Sequence, residues 1–260
     1  MEFLETTVTH VEHPGPGYSL IAFRAATPID GDPGQFVMIR GGDFGADPIL
    51  PRAFSMVSSG EEGTVLVKAV GKATRRLAAL RAGDALMVLG PLGNRFSLPE
   101  PSVHPILIAG GVGVAPLMFM AERLREAGRD STFIYGGRSA DDLLYLERIE
   151  GAAGELIVTT EDGSTGERGR VTDVLARVVS RAPRMAAFSC GPEPMLAALH
   201  RALPSPIPLE VALEQAMACG MGTCKGCAVH DRHGEYRYVC SDGPIFMADD
   251  IFGEEGSWRS

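Results

Sequence analysis

The stretch Ile106-Leu107-Ile108-Ala109-Gly110-Gly111-Val112-Gly113-Val114-Ala115-Pro116-Leu117 decides the reading of the fold. It reads as a buried strand, a glycine turn and the start of a helix. Glycines in such a turn let a pyrophosphate approach the backbone, and the free N–H groups and dipole of a helix start favour anions. The same turn also serves close packing of helix on strand, and the G-x-G-x-x-G fingerprint is not met, because the run is G-G-x-G-x-A-P.

Downstream the rhythm persists. Apolar runs at Ser131 to Tyr135, Glu155 to Thr159 and Arg184 to Ser189 alternate with helical stretches at Leu117 to Ala127, Val171 to Ser180 and Glu193 to Ala202. Strands alternating with amphipathic helices predict a parallel sheet covered on both faces. Phe188-Ser189-Cys190-Gly191-Pro192-Glu193-Pro194-Met195 repeats the strand-to-helix geometry with a cysteine at its tip, though Cys190 also fits a small buried hydrophobe. Upstream, from residue 1 to about 100, short apolar runs lie between Gly/Pro/Asp turns: Ser19 to Ala25, Gln35 to Arg40, Thr64 to Val70 and Ala85 to Leu89. These predict a small all-β barrel or sandwich, with Lys72 to Leu80 its one helical stretch. Pro99-Glu100-Pro101 and Leu203-Pro204-Ser205-Pro206-Ile207-Pro208 break the pattern, giving expected domains 1–100, 101–207 and 208–260.

Composition narrows the function. In 260 residues, 24 Lys+Arg stand against 33 Asp+Glu, a net charge of −9 without a basic cluster, which argues against a nucleic-acid partner. The longest uncharged stretch, Ile106 to Ala121, is interrupted by glycines and Pro116 and falls short of the ~20 apolar residues of a spanning helix. No membrane segment is expected, and MEFLETTVTHVEH carries no basic and apolar leader, so the expected location is cytoplasmic.

Four of the five cysteines crowd the last 42 residues: Cys219, Cys224, Cys227 and Cys240, spaced C-x4-C-x2-C-x12-C. The first three match the plant-type [2Fe–2S] spacing, in which thiolates on one tight loop grip the cluster and a distant cysteine closes it. Gly220, Gly222 and Gly226 between them allow the loop to curl and aim N–H groups at sulfur. A structural zinc site with four cysteine ligands is the alternative, but it usually takes two C-x2-C knuckles and here there is one. His230 and His233 read as surface residues of a polar hairpin. In the first domain, Pro51-Arg52-Ala53-Phe54-Ser55 offers an Arg for phosphate, an aromatic and a hydroxyl on one strand, a pattern that an ordinary surface Arg and core Phe also produce.

Barrel, nicotinamide-type α/β unit and cysteine tail, in this order, resemble the ferredoxin-reductase superfamily. Leu213-Glu214-Gln215-Ala216-Met217-Ala218-Cys219-Gly220-Met221-Gly222-Thr223-Cys224-Lys225-Gly226-Cys227, with Tyr238-Val239-Cys240-Ser241-Asp242-Gly243-Pro244-Ile245-Phe246, are similar to the electron-transfer subunits of class 1B dihydroorotate dehydrogenases. The resemblance implies an antiparallel FAD-binding barrel, a parallel-sheet NAD-binding domain and a small C-terminal [2Fe–2S] domain. It implies Arg52, Ala53, Phe54 and Ser55 as the flavin motif, Ala53 replacing the family's proline, and Leu66, Val67 and Lys68 as the strand flanking the flavin. Ala73 and Thr74 would be a phosphate contact, with Ala73 in place of glycine, and Gly90 to Phe96 the turn beneath the flavin. Gly110, Gly111 and Gly113 with Cys190, Gly191 and Pro192 would form the nicotinamide site, Cys190 approaching the ring as the catalytic residue. Thr159 to Ser164 resembles a further loop of that domain, whose Glu161 and Asp162 lean against a bound 2′-phosphate and so toward NAD rather than NADP.

The implied activity passes electrons from an FMN-containing dihydroorotate dehydrogenase catalytic subunit through the cluster and FAD to NAD+, in a two-plus-two heterotetramer of pyrimidine biosynthesis. The competing readings are an FAD/[2Fe–2S] reductase subunit of sulfhydrogenase or NADH-dependent ferredoxin oxidoreductase type, an oxygenase-type reductase, and a non-catalytic zinc-stabilised binding module.

Overall fold

The computed structural model describes residues 3–181 and 184–253. Residues 1 and 2 of the amino-terminal stretch and residues 254–260 of the expected third domain lie outside the described residues.

Six strands, β1 (Leu4–Glu12), β2 (Tyr18–Arg24), β3 (Phe36–Gly41), β4 (Arg52–Ser58), β5 (Gly63–Lys68) and β6 (Ala85–Leu92), close an antiparallel barrel in the order β1-β2-β5-β4-β3-β6. Alternation drives it: Ile21, Phe23, Val37, Ile39, Val65, Val67, Leu86 and Val88 fill one buried cluster. Helix α1 (Lys72–Ala78) follows β5. Of the two expected β architectures, the barrel is the one formed. β1 carries little apolar signal. Thr6 and Val8 are its only fully buried residues, and the Thr6 hydroxyl donates to the Leu86 carbonyl at 2.8 Å.

The second unit runs β7 (His104–Gly110), α2 (Val114–Glu126), β8 (Thr132–Gly137), α3 (Leu146–Ala152), β9 (Glu155–Thr160), β10 (Glu167–Arg168), α4 (Val171–Val179), β11 (Met185–Cys190), α5 (Glu193–Ala202) and β12 (Leu209–Ala212). The cysteine segment adds the hairpin β13 (Ala228–His230) and β14 (Tyr236–Tyr238), then β15 (Ile245–Met247) and α6 (Ala248–Ile251). The main sheet has the order β10-β9-β8-β7-β11-β12-β15, parallel except for β15, which pairs antiparallel with β12. The sheet therefore continues past residue 207, and the cysteine segment supplies its edge strand.

Three seams join these parts. Phe119 of α2 is buried in the barrel cluster, while Phe36, Met38, Leu89 and Leu92 of the barrel share a second core with sheet residues and with Cys227, Val229, Val239 and Cys240. Asn94, in the turn after β6, accepts from the Ile245 N–H at 2.8 Å and donates to the Ile245 carbonyl at 2.8 Å. Gly220 of the cysteine loop lies so near Met38 that an added Cβ would stand 2.5 Å from its Cγ.

Candidate electron-transfer site

The chain leaves β7 toward β8 and later returns to the other side of β7 as β11, so the loops after β7 and β11 diverge. A crevice opens there, at the carboxyl ends of the strands, where open α/β sheets take ligands. Gly110 continues into a 3-10 turn, Gly111–Gly113, ahead of α2. Gly111 has φ +52 and open space around its missing Cβ, whereas a Cβ on Gly113 would meet the Cys190 carbonyl oxygen at 2.3 Å. Gly113 is thus a packing glycine that lets the helix start lie against the end of β11, and Gly110 and Gly111 remain at the ligand side.

Two cavities meet at this crevice. The first, about 520 Å³, is lined by Gly110, Gly111, Gly191 and Pro192 together with Arg138, Thr159, Glu161 and Arg170. Thr159 is buried, and its hydroxyl has no hydrogen-bond partner among the described residues. Buried hydroxyls are normally satisfied, so this one fits a polar ligand in the cavity. The second cavity, about 430 Å³, is lined by Ala53, Phe54 and Ser55 of β4, Leu66 and Lys68 of β5, Ala115 and Pro116 of α2, Cys190, and Leu213 to Met217. Both volumes suit cofactor-sized ligands. Lys68, Val112 and Glu214 line both cavities.

The shared wall is electrostatically organised. Lys68 Nζ donates to Asp142 Oδ1 at 3.1 Å and lies over the Tyr18 ring, while the Tyr18 hydroxyl donates to the same oxygen at 3.0 Å. This clamp ties barrel strands β2 and β5 to the loop after β8. Burial alone would raise the Asp142 carboxyl, but the bonds from Lys68 and Tyr18 outweigh it and hold it below the usual aspartate range. Tyr135 extends the clamp to the glycine turn: its hydroxyl proton is shared between the carbonyls of Asp142 and Gly111, each 3.1 Å away. Burial pushes the Cys190 thiol far up, with the nearby Glu214 charge adding to it, so Cys190 is a neutral contact surface rather than a thiolate. Glu214 keeps contact with solvent in the cavities, yet the protein packed around it raises its carboxyl.

Some expected site residues stand elsewhere. Arg52 lines neither cavity: its Nη1 donates to the carbonyls of Leu50 at 2.9 Å and Pro51 at 3.1 Å. Val67 points into the barrel core. Ala73 is buried in α1, and Thr74 caps that helix, its Oγ1 accepting from the Gly71 N–H at 2.9 Å. Glu214, Lys68 as a residue of both cavities, and Asp142 are the additions. Nothing marks Glu214 or Asp142 in sequence, since each reads as an ordinary surface carboxylate.

Beyond Met217 the cysteine loop begins. The four sulfurs stand as two pairs: Cys227 and Cys240, 3.2 Å apart, and Cys219 with Cys224, whose side chains are in hydrogen-bonding reach. Each sulfur accepts at least one backbone N–H: Cys240 from Gly222 at 3.1 Å, Cys219 from Cys224 at 3.4 Å, Cys227 from Cys240 at 3.4 Å and Cys224 from Gly226 at 3.5 Å. The first pair is buried, and the second lies toward the surface. Positive φ occurs at Gly220, Gly222 and Lys225, not at Gly226. Burial pushes Cys219 up, but N–H groups of Cys224, Met221 and Thr223 overcome this and bring it down to about 6. Cys240 is pushed up to about 12 by burial and by Cys227. Among the described residues no three ligating side chains converge as a single metal ion requires. Two cysteine pairs with N–H donors on every sulfur fit a two-iron cluster with four cysteine ligands.

This arrangement defines a class, the ferredoxin-reductase-like flavin and nicotinamide oxidoreductases. The fold superposes on the NADH-dependent reduced ferredoxin-NADP oxidoreductase, a structure studied for flavin-based electron bifurcation, with TM-score 0.84 and 28% identity over 96% of this chain and 90% of that one. It also superposes on a ferredoxin reductase of carbazole 1,9a-dioxygenase with TM-score 0.70 at 21% identity, over 80% of this chain and 68% of that one, a likeness of fold alone. Residues 214–252 match the iron–sulfur cluster binding domain of dihydroorotate dehydrogenase B, and residues 107–201 the oxidoreductase NAD-binding domain. The electron transfer subunit of dihydroorotate dehydrogenase B (NAD(+)) from Caldanaerobacter subterraneus is 37% identical over 84% of this chain and 86% of its own. The probable counterpart from Methanopyrus kandleri is 38% identical over 91% and 87%. The chain belongs to the family of dihydroorotate dehydrogenase B electron transfer subunits, an oxidoreductase component. Among the described residues no helix is long and apolar enough to cross a membrane.

Proposed function

We propose that this chain carries electrons from an FMN-containing dihydroorotate dehydrogenase subunit to NAD+, in a two-plus-two heterotetramer of pyrimidine biosynthesis. The supporting observation is the meeting of three parts at one place: the second cavity is lined by the barrel, α2 and the segment leading into the cysteine loop, and it shares a wall with the first. A flavin bound between a nicotinamide and an iron–sulfur cluster converts between a hydride and single electrons.

Ala53, Phe54, Ser55 and Leu66 are assigned to hold the flavin of FAD in the second cavity. Arg52 is assigned to its pyrophosphate, exchanging the carbonyls of Leu50 and Pro51 for phosphate oxygens as a charge-assisted partner. Gly110, Gly111, Gly191, Pro192 and the Thr159 hydroxyl would take NAD in the first. Cys190, which lines the second cavity with a neutral thiol, would help hold the flavin and the nicotinamide for hydride transfer. Cys219, Cys224, Cys227 and Cys240 would hold the cluster, and the surface pair Cys219 and Cys224 marks the side facing the partner. Five free cysteines in one chain suit the reducing cytoplasm. Anaerobic purification with visible spectroscopy and metal analysis tests the reading. Flavin bands with two irons per chain are expected, and a colourless zinc protein would overturn it.

A further inference from the structure

The nicotinamide of NAD+ is a cation, and it becomes neutral on accepting hydride. Sheet order fixes which end of the dinucleotide cavity would receive it. Thr159 and Glu161, at the end of β9, lie beyond β8 from β7 and β11. The flavin cavity opens at the opposite end, beside α2 and Cys190, and the wall common to both cavities includes Lys68. A ring that exchanges hydride with a flavin must lie against that wall, and an ammonium there repels a cationic ring. In a partly enclosed site like charges act far more strongly than in water. Lys68 does hold its charge: burial opposes it, but the bonds to Tyr18 and Asp142 outweigh burial and raise it above the ordinary lysine range.

Asp142 faces this ammonium. Its Oδ1 is 3.1 Å from Lys68 Nζ, and among the described residues it is the one ion-pair partner of Lys68. It lines the dinucleotide cavity and not the flavin cavity. Three further contacts fix its position: Oδ1 accepts from the Tyr18 hydroxyl at 3.0 Å, Oδ2 from the Arg138 N–H at 3.3 Å, and the Asp142 carbonyl from the Tyr135 hydroxyl at 3.1 Å. Burial works against its charge, but the bonds from Lys68 and Tyr18 prevail and keep it ionised. The Arg138 guanidinium is 3.9 Å away, yet that side chain is 82% exposed and well screened, so Lys68 is the charge that Asp142 answers. Glu214 also borders both cavities, and its field is common to the variants compared below.

We propose that Asp142 is the counter-charge of the nicotinamide end: by cancelling the Lys68 ammonium it lets the cationic ring of NAD+ lie at the wall shared with the flavin cavity. It is a positioning residue, acting on the nucleotide through Lys68. The pair has no net charge, so oxidised and reduced rings are both admitted. This inference rests on the assignment of FAD and NAD to the two cavities.

The test is calorimetric titration of the oxidised chain, loaded with FAD and cluster, with NAD+ and with ADP-ribose, which has the same adenosine and diphosphate but no nicotinamide. Asp142→Asn should weaken NAD+ by about tenfold or more and leave ADP-ribose within about twofold. Lys68→Met, which leaves the carboxylate alone at the wall, should raise NAD+ affinity relative to ADP-ribose, and the double variant should return toward the wild-type ratio. Tyr18→Phe loosens the clamp without altering either charge, and should keep that ratio. NAD+ and ADP-ribose affinities that fall together in Asp142→Asn, or a double variant no better than Asp142→Asn, would reduce Asp142 to a structural clamp and overturn the proposal. If Asp142→Asn does not fold, Lys68→Met decides, and an NAD+ to ADP-ribose ratio that stays level or drops there overturns it. A wild-type chain that binds neither ligand removes the dinucleotide reading itself, and the counter-charge role with it.

Discussion

Gly113→Ala tests whether the glycine turn is built for packing against β11. An added Cβ would lie 2.3 Å from the Cys190 carbonyl oxygen, 2.5 Å from its carbon and 2.8 Å from the Gly191 nitrogen. Carbon contacts settle near ~3.5 Å, so α2 and the end of β11 must separate by about 1 Å. All three obstructing atoms are backbone, and no rotamer change can relieve them. Overpacking of a tight core costs about 1–3 kcal/mol, and a backbone clash belongs at the upper end, about 3 kcal/mol. For a domain of this size that lowers Tm by roughly 6–12 °C. The same displacement moves Gly110, Gly111 and Gly191 at the cavity edge, and a misplacement of that size can cost about 10² in turnover. Gly151→Ala is the control. Gly151 lies exposed in α3 with nothing within 4 Å of its absent Cβ, and alanine there should stabilise by about 0.5–1 kcal/mol. Denaturant melts and calorimetric NAD+ titration read both variants. A Gly113→Ala chain with wild-type stability and NAD+ affinity would refute the packing argument.

Asp142→Asn breaks the clamp between barrel and sheet. Its side chain is 18% exposed and that of Lys68 34%, so the loss is smaller than for a fully buried pair, about 2 kcal/mol. Because the folded carboxyl titrates below its ordinary value of 3.8, the clamp contributes fully above that pH and fades below it. Wild-type and variant stabilities should then converge in acid, and a gap that persists there would point to shape rather than charge. Glu214→Gln should have the opposite sign. The raised carboxyl costs the fold once ionised, so the variant should melt higher than wild type at alkaline pH, with the gap closing as pH falls below the ordinary value of 4.5. Cys→Ser at 219, 224, 227 or 240 should each cost iron and visible absorbance, and survival of both in all four variants would remove the cluster assignment. Cys190→Ala should leave the cluster intact and alter the rate at which NADH reduces the flavin, whereas unchanged kinetics would reduce Cys190 to packing.

Much of this architecture is legible in the chain because the physics is local. The run from Ile106 to Leu117 carries strand, turn and helix within a dozen residues, and the cysteine spacing fixes its loop. What escapes depends on partners distant in sequence. β1 hides behind LETTVTHVE, where a buried threonine takes the place of an apolar residue by bonding to Leu86. α3 is short and starts from Tyr145 at φ 57, an entry that composition does not signal. β15 joins the sheet beside β12 across more than thirty residues of cysteine loop and hairpin. The site follows the same rule. Ala53, Phe54, Ser55, Leu66 and Lys68 line one cavity. Arg52 and Thr74, by contrast, satisfy their own loop and helix, and Glu214 gains its character only from the two cavities that meet around it.

The most direct test of the central claim is NADH formation by the FAD- and cluster-loaded chain mixed anaerobically with the FMN-containing catalytic subunit, dihydroorotate and NAD+, compared with the same mixture made from Cys224→Ser. The account predicts NADH only when both subunits and an intact cluster are present. NADH formed at the same rate by the Cys224→Ser chain lacking its cluster, or by the wild-type chain with dihydroorotate but no partner, would contradict it.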